Sequence, residues 1–292
     1  MATSGDTRQA PTVPAVAMVL GSITSIQFGA AVATGLFDEV GALGVTFLRT
    51  IISAGLLLLI WRPSFRLGRE DARFAVLFGI VLAAMNLAFY EAIDRIPLGI
   101  AVTFEFIGPL GVALITSHRR RDLIWVAMAA AGIVLLSGGI GEEGIEVWGV
   151  VLAVVAGIFW GCYILLGKRV GQRFQGGEGL AIAMVFSTVV CAPFGLLDGG
   201  STLAEGSVLL TGLAVAVLST ALPLSLEMEA LRRLPSHVFG VMMSLEPAMA
   251  ATVGFVVLSQ DLSAGQVVAI GLVVAASAGA LWTSRAPAPI EP

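Results

Sequence analysis

Ten runs of about 20 mostly apolar residues, joined by short loops, limit the class of structure open to this chain. They fall near 14–36, 41–61, 74–93, 97–117, 123–140, 147–167, 179–197, 207–230, 236–258 and 264–283. Bilayer hydrocarbon offers no water to a backbone N–H or C=O, so runs of this length must satisfy their own hydrogen bonds as helices. Of 292 residues, 57% are hydrophobic and 12% charged, whereas a soluble domain averages about 25% charged. The water-facing surface is therefore small, and no soluble domain interrupts the runs. The expected fold is an all-α membrane protein of ten transmembrane helices. The basic residues are scattered in short loops, which excludes a nucleic-acid surface.

Loop charge orients the helices, because cytoplasmic loops carry an excess of Lys and Arg. With the amino terminus in the cytoplasm, the inward loops hold Arg62, Arg66, Arg69 and Arg73; Arg119, Arg120 and Arg121; Lys168, Arg169 and Arg173; and Arg232 with Arg233. The outward loops carry Asp38, Glu39, Asp94, Glu142, Glu143, Glu146, Asp198, Glu205 and Asp261, with Arg95 their one basic residue. Both tails, 1–13 with Arg8 and 284–292 with Arg285, are expected inside. Residues 1–13 are polar, and the apolar run after them is too long for a signal-peptide core, so it reads as the first span.

A short internal repeat divides the chain. Tyr90-Glu91-Ala92-Ile93-Asp94-Arg95-Ile96-Pro97 recurs as Met228-Glu229-Ala230-Leu231-Arg232-Arg233-Leu234-Pro235, and without a gap Pro109 then aligns with Pro247 and Ala113 with Ala251. Each copy sits at the joint of the third and fourth spans of its half. Five spans per half make the second half enter the membrane from the opposite side, so the expected architecture is two inverted five-helix repeats, 14–140 and 147–283. Secondary transporters built this way bind substrate near the midplane, where the halves meet.

Charges inside the spans point the same way. Glu91, Glu105, Glu227, Glu229, Glu246 and Arg49 all lie within apolar runs. A charge at mid-bilayer costs roughly 2.5–3.5 kcal/mol on insertion scales and persists where it faces a cavity or a partner. At about 1.5 Å per residue, Glu105 and Arg49 come at similar depth, Glu246 near the midplane, with Gln27 and Asn86 also near the middle. Glu91 and Glu229 lie near helix ends, where pairing with Arg95 and Arg233 is the expectation. Two readings stand for Arg49 and Glu105: a structural ion pair, or the two poles of a site.

The second reading suits a zwitterion such as an amino acid. Arg49 offers a bidentate donor fork to a carboxylate, and Glu105 or Glu246 an acceptor for an ammonium group. Gln27, Asn86, Tyr90, Tyr163 and Ser244 offer neutral hydrogen bonds to a side-chain hydroxyl. Glu105, Glu227 and Glu246 are candidates for proton coupling or gating, since intramembrane carboxylates mark proton relays. Pro109, Pro193, Pro223 and Pro247 are expected to interrupt their spans and free backbone groups to line the cavity.

No cofactor or metal is expected. Cys162 and Cys191 fall in apolar spans and read as small buried hydrophobes, and His118 and His237 lie at loop edges without ligand spacing. An intramembrane aspartyl protease would need two aspartates within the spans, a zinc protease a His-Glu-x-x-His helix and a serine hydrolase an in-membrane histidine; none is present. A membrane enzyme is therefore not expected, and a passive scaffold would not explain charges at mid-depth.

Several stretches carry a family resemblance: Ser25-Ile26-Gln27 with Gly29-Ala30; Gly44-Val45-Thr46 with Leu48-Arg49; Met85-Asn86 with Phe89-Tyr90; Ile96 to Val102 through Glu105-Phe106 to Gly108-Pro109-Leu110; Ser219 to Pro223 through Ser225-Leu226-Glu227-Met228; and Arg233-Leu234-Pro235, Phe239-Gly240 and Glu246-Pro247-Ala248. In these the chain resembles the EamA-type drug/metabolite transporter superfamily and, within it, the bacterial inner-membrane exporters of threonine and homoserine. The resemblance covers nearly the whole membrane domain and implies ten helices in two inverted repeats. It further implies export of small amino acids (threonine, homoserine or close analogues), driven by proton antiport through alternating access. Export of another metabolite or drug, such as a purine or an aromatic amino acid, is the alternative. Its motifs do not separate these substrates, nor do they give an oligomeric state.

Overall fold

The computed structural model describes residues 12–115, 123–137, 145–231, 233 and 242–283. The histidines, the arginines at 119–121, Glu142, Glu143, Arg232, the Leu234-Pro235 and Phe239-Gly240 motifs, most of both tails and the side chain of Glu229 lie outside the described residues.

The described chain is helical throughout. In order, the helices are α1 (Thr12–Thr34), α2 (Phe37–Trp61), α3 (Arg69–Ile93), α4 (Leu98–Glu105), α5 (Ile107–Ile115), α6 (Leu123–Ser137), α7 (Val147–Arg173), α8 (Glu178–Gly199), α9 (Gly206–Ala216), α10 (Leu222–Leu231), α11 (Glu246–Leu258) and α12 (Ala264–Thr283). A 3-10 turn, Gly200–Ala204, precedes α9, and a π turn, Val217–Ala221, joins α9 to α10. Six stretches among the described residues are long and apolar enough to cross a membrane, with shorter apolar helices at Leu98–Val112, Glu246–Leu258 and Ala264–Ala276. Helix occupies each of the ten expected spans in its described part.

Where the expected spans and the helices differ, the causes are local. The fourth span is cut at Phe106, just ahead of Gly108-Pro109, and the eighth carries the π turn just ahead of Pro223. Pro247 sits in the first turn of α11, after a turn at Ser244 and Leu245. Three of the four prolines thus follow a break, as expected, because proline has no N–H and clashes with the preceding turn. Pro193 departs from that expectation: α8 runs through it from Glu178 to Gly199. Residues on both sides of Pro193 are packed along α2, which holds the helix across it.

The second span begins four residues earlier than its apolar run. Phe37–Val40 form a first turn, and Gly41 at φ +69° redirects the chain into the main helix. A Cβ at Gly41 would lie 1.9 Å from Asp198 Oδ2, so both the left-handed backbone and the close approach require glycine. The Asp198 carboxylate accepts the Leu43 N–H at 3.1 Å, capping the restarted helix. Asp198 therefore does structural work at a loop read only as charged.

Packing pairs the two halves helix by helix. α2 lies against α8, α3 against α7 and α8, α4 against α7 and α11, α6 against α12, and α1 against α9, the π turn, α10 and α11. Small residues allow close approach, as membrane helices require in the absence of a water-driven hydrophobic effect between them. A Cβ at Gly108 would meet the Gly157 carbonyl at 1.8 Å, and one at Gly157 the Glu105 carbonyl at 2.4 Å. The break at Phe106 is thereby pressed onto α7. At the far end of α7, Arg173 bridges Glu70 of α3 at 2.6 Å and Asp71 at 2.9 Å, its guanidinium 4.5 Å from the Phe74 ring.

Candidate functional site

A cavity of about 240 Å³ lies where α1, α2, α3, α4, α7, α8, the π turn and α10 converge, with Met243 and Glu246 entering from the start of α11. Its volume is below the roughly 300–1,000 Å³ of sites for drug-sized ligands. Eight of the nine residues singled out from sequence line it: Gln27, Arg49, Asn86, Tyr90, Glu105, Tyr163, Glu227 and Glu246. The ninth, Ser244, is fully buried beside α11 and is not part of the lining.

Arg49 comes from the middle of α2, where its neighbours on the helix are apolar or small. Its Nη1 donates to Asn86 Oδ1, and its guanidinium carbon lies 5.4 Å from the centre of the Tyr90 ring. Asn86 is itself oriented, since its Nδ2 donates to the Leu82 carbonyl one turn earlier at 2.7 Å. Arg49 Nε is buried without a hydrogen-bond partner. No ion pair joins Arg49 to Glu105 among the described residues. Neutral groups fix the cation and leave donor capacity unused.

The carboxylates are distributed differently. Glu105 closes α4 at the break, Glu227 lies in α10, and Glu246 opens α11. Glu105 and Glu246 are buried within the protein. Glu227 accepts a hydrogen bond from Ser22 Oγ of α1 at 2.6 Å. Glu91 lies outside the cavity and pairs with Arg95 at 2.6 Å, as expected for a residue near a helix end.

Aromatic rings shape the rest. Tyr90, 1% exposed, packs against Phe37 and Phe89 with ring centres 6.2 and 5.9 Å away. Tyr163 stacks on Phe78 at 5.1 Å, and Trp160 meets Phe106 edge to face at 5.4 Å. Residues that sequence reasoning did not single out also line the cavity, notably Ser219, Thr220 and Trp160. The only available signal was the Ser-Thr pair ahead of Pro223, quoted for the resemblance but not for a role.

Residues 147–282 match the EamA-like transporter family. The threonine/homoserine exporter RhtA of Salmonella typhimurium (strain LT2) is 42% identical over 283 residues, which cover 96% of this chain and 96% of that one. The chain belongs to the EamA-like transporter family. RhtA of Escherichia coli (strain K12) matches to the same extent, 42% over 283 residues. This EamA-like protein is therefore a multi-pass membrane transporter and not an enzyme. A crystal structure of a protein only 18% identical superposes with a TM-score of 0.64, covering 94% of this chain and 99% of that one, a likeness of fold alone.

Proposed function

We propose that the protein exports threonine, homoserine or close analogues across the bacterial inner membrane, by proton antiport with alternating access. The observation that carries the reading is the cavity itself. It joins a pre-oriented guanidinium with an unused N–H to three carboxylates, in a volume suited to a small metabolite. An amino acid needs both poles, and its exporter named in two relatives moves threonine and homoserine. Glu105, Glu227 and Glu246 are the groups available to carry a proton, and neither a metal nor a cofactor enters the reading.

Two inverted five-helix repeats, 14–140 and 147–283, with both termini cytoplasmic, complete it. Helix pairing supports the repeat. Exchanging α1 with α7, α2 with α8, α3 with α9–α10, α4–α5 with α11 and α6 with α12 turns three of the main pairings into other observed pairings: α3·α7 into α1·α10, α4·α7 into α1·α11, α3·α8 into α2·α9. The loop charges support the orientation. On that orientation Leu180, Leu224, Glu227 and Met243 line the cytoplasmic side of the cavity, while Tyr90, Phe37 and Phe89 close the outer side.

The test is uptake of labelled threonine and homoserine into inside-out membrane vesicles, with and without an imposed proton gradient. Gradient-dependent accumulation of each, competed by the other, is expected. Vesicles that contain folded protein and accumulate neither would overturn the substrate and send the search to other metabolites.

A further inference from the structure

The π turn between α9 and α10 brings two hydroxyls to the cavity with nothing to bond. Ser219 and Thr220 both line it, and Ser219 Oγ and Thr220 Oγ1 are buried without a hydrogen-bond partner. Elsewhere in these helices a hydroxyl bonds back to the carbonyl four residues earlier, as at Thr24, Thr46, Thr103, Thr188, Thr211, Ser225 and Thr252. Ser219 and Thr220 do not. Their segment is the one π-helical stretch among the described residues, and such turns shift side chains out of the regular helical register.

The turn is held in place from α1. Ser25 Oγ donates to the Leu218 carbonyl at 2.7 Å, and Gly29 leaves room for Ser219, whose Oγ would be 2.2 Å from a Cβ there. Gln27, between those two α1 residues, lines the same cavity, is 2% exposed, and its Oε1 also has no partner. Unsatisfied buried polar groups are rare in native proteins, because each forfeits the hydrogen bond that it made to water. Three on facing elements of one cavity, all uncharged, describe a neutral ligand group. Ser53 and Ser187 are unpartnered too, but neither lines the cavity.

We propose that Ser219, Thr220 and Gln27 form the subsite that receives the side-chain hydroxyl of the exported amino acid, which makes the π turn the specificity determinant. The stoichiometry fits. A hydroxyl donates once and accepts twice; Gln27 Oε1 is an acceptor, and the two protein hydroxyls supply donors. The charged ends of the substrate remain with Arg49 and the carboxylates. The proposal rests on the amino-acid export reading and deepens it.

The test compares labelled homoserine with 2-aminobutyrate, which has the same charged ends and no hydroxyl, in vesicles holding the full chain. The wild type is expected to favour homoserine by tenfold or more in transport efficiency. In Ser219→Ala/Thr220→Val, which keeps volume and removes both donors, that ratio is expected to fall about tenfold, with homoserine losing most. A wild type that does not distinguish the two amino acids, or a double variant that keeps the wild-type ratio, overturns the subsite while amino-acid export stands. A wild type that moves neither overturns the export reading instead. If the double variant moves neither, the ratio is read from Thr220→Val and Gln27→Leu singly, and its retention in both overturns the subsite equally.

Discussion

On the α2–α3 side of the cavity, the half-buried Arg49 guanidinium is held by neutral groups: the Asn86 carbonyl, itself fixed by the α3 backbone, and the face of Tyr90. On the α4, α10 and α11 side, three carboxylates share the same space, and only Glu227 accepts a hydrogen bond from the described residues, from Ser22. The cation is oriented by its partners, whereas Glu105 and Glu246 accept no hydrogen bond from the described residues. One side of the cavity is tied down by hydrogen bonding and stacking, and the other much less so.

The sharpest way to break that contrast is Arg49→Lys. It keeps the charge but loses the planar fork and its stacking, so transport in the vesicle assay is expected to fall by about a hundredfold or more, with protein level in the membrane unchanged. Retained transport would show that charge alone suffices and that the orientation by Asn86 and Tyr90 is incidental.

A smaller effect is expected from Glu105→Gln, which preserves shape at the α4 break. Net export driven by the gradient should drop at least tenfold. If Glu105 carries the proton, exchange of labelled for unlabelled amino acid without a gradient falls less than net export does. An equal loss in both assays would make Glu105 a substrate contact instead.

Asn86→Leu should do least, since Arg49 remains and only its tether is cut. A hydrogen bond to a charged group contributes at least about 1.5 kcal/mol, and Arg49 keeps its stacking on Tyr90, so an increase in KM of about tenfold with little change in maximal rate is the expected outcome. A fall in maximal rate at unchanged KM would mean that Asn86 moves with the transport cycle and does not serve only to position the guanidinium.

Most of this arrangement was legible because a membrane span penalises polar residues so heavily. Gln27, Arg49, Asn86, Glu105 and Glu246 stood out by depth alone, and all five line one cavity. What binds Arg49 was not legible, because the choice between Asn86 and Glu105 depends on how α3 and α4 rotate against α2. Ser219 and Thr220 escaped notice for a different reason. Hydroxyls are common in apolar helices and usually satisfy themselves on their own backbone, so only the π turn distinguishes these two, and periodicity does not announce a π turn. Pro193 misled in the other direction: an interior proline reads as a break, but close packing between α2 and α8 keeps that helix whole.

The two joints described between the halves both meet water but differ in what they hold. Asp198 grips a backbone N–H of α2 at the Gly41 bend, whereas Arg173 reaches Glu70 and Asp71 at an exposed end of α3, where Glu70 is 70% exposed. Charges in water feel one another over about 8 Å at physiological ionic strength and only about 3 Å at 1 M salt. The Arg173 clasp therefore loosens as electrolyte is added while the Asp198 joint, anchored to the peptide backbone, is less affected, so the same molecule has one end tuned by the ionic composition of its surroundings and one largely indifferent to it.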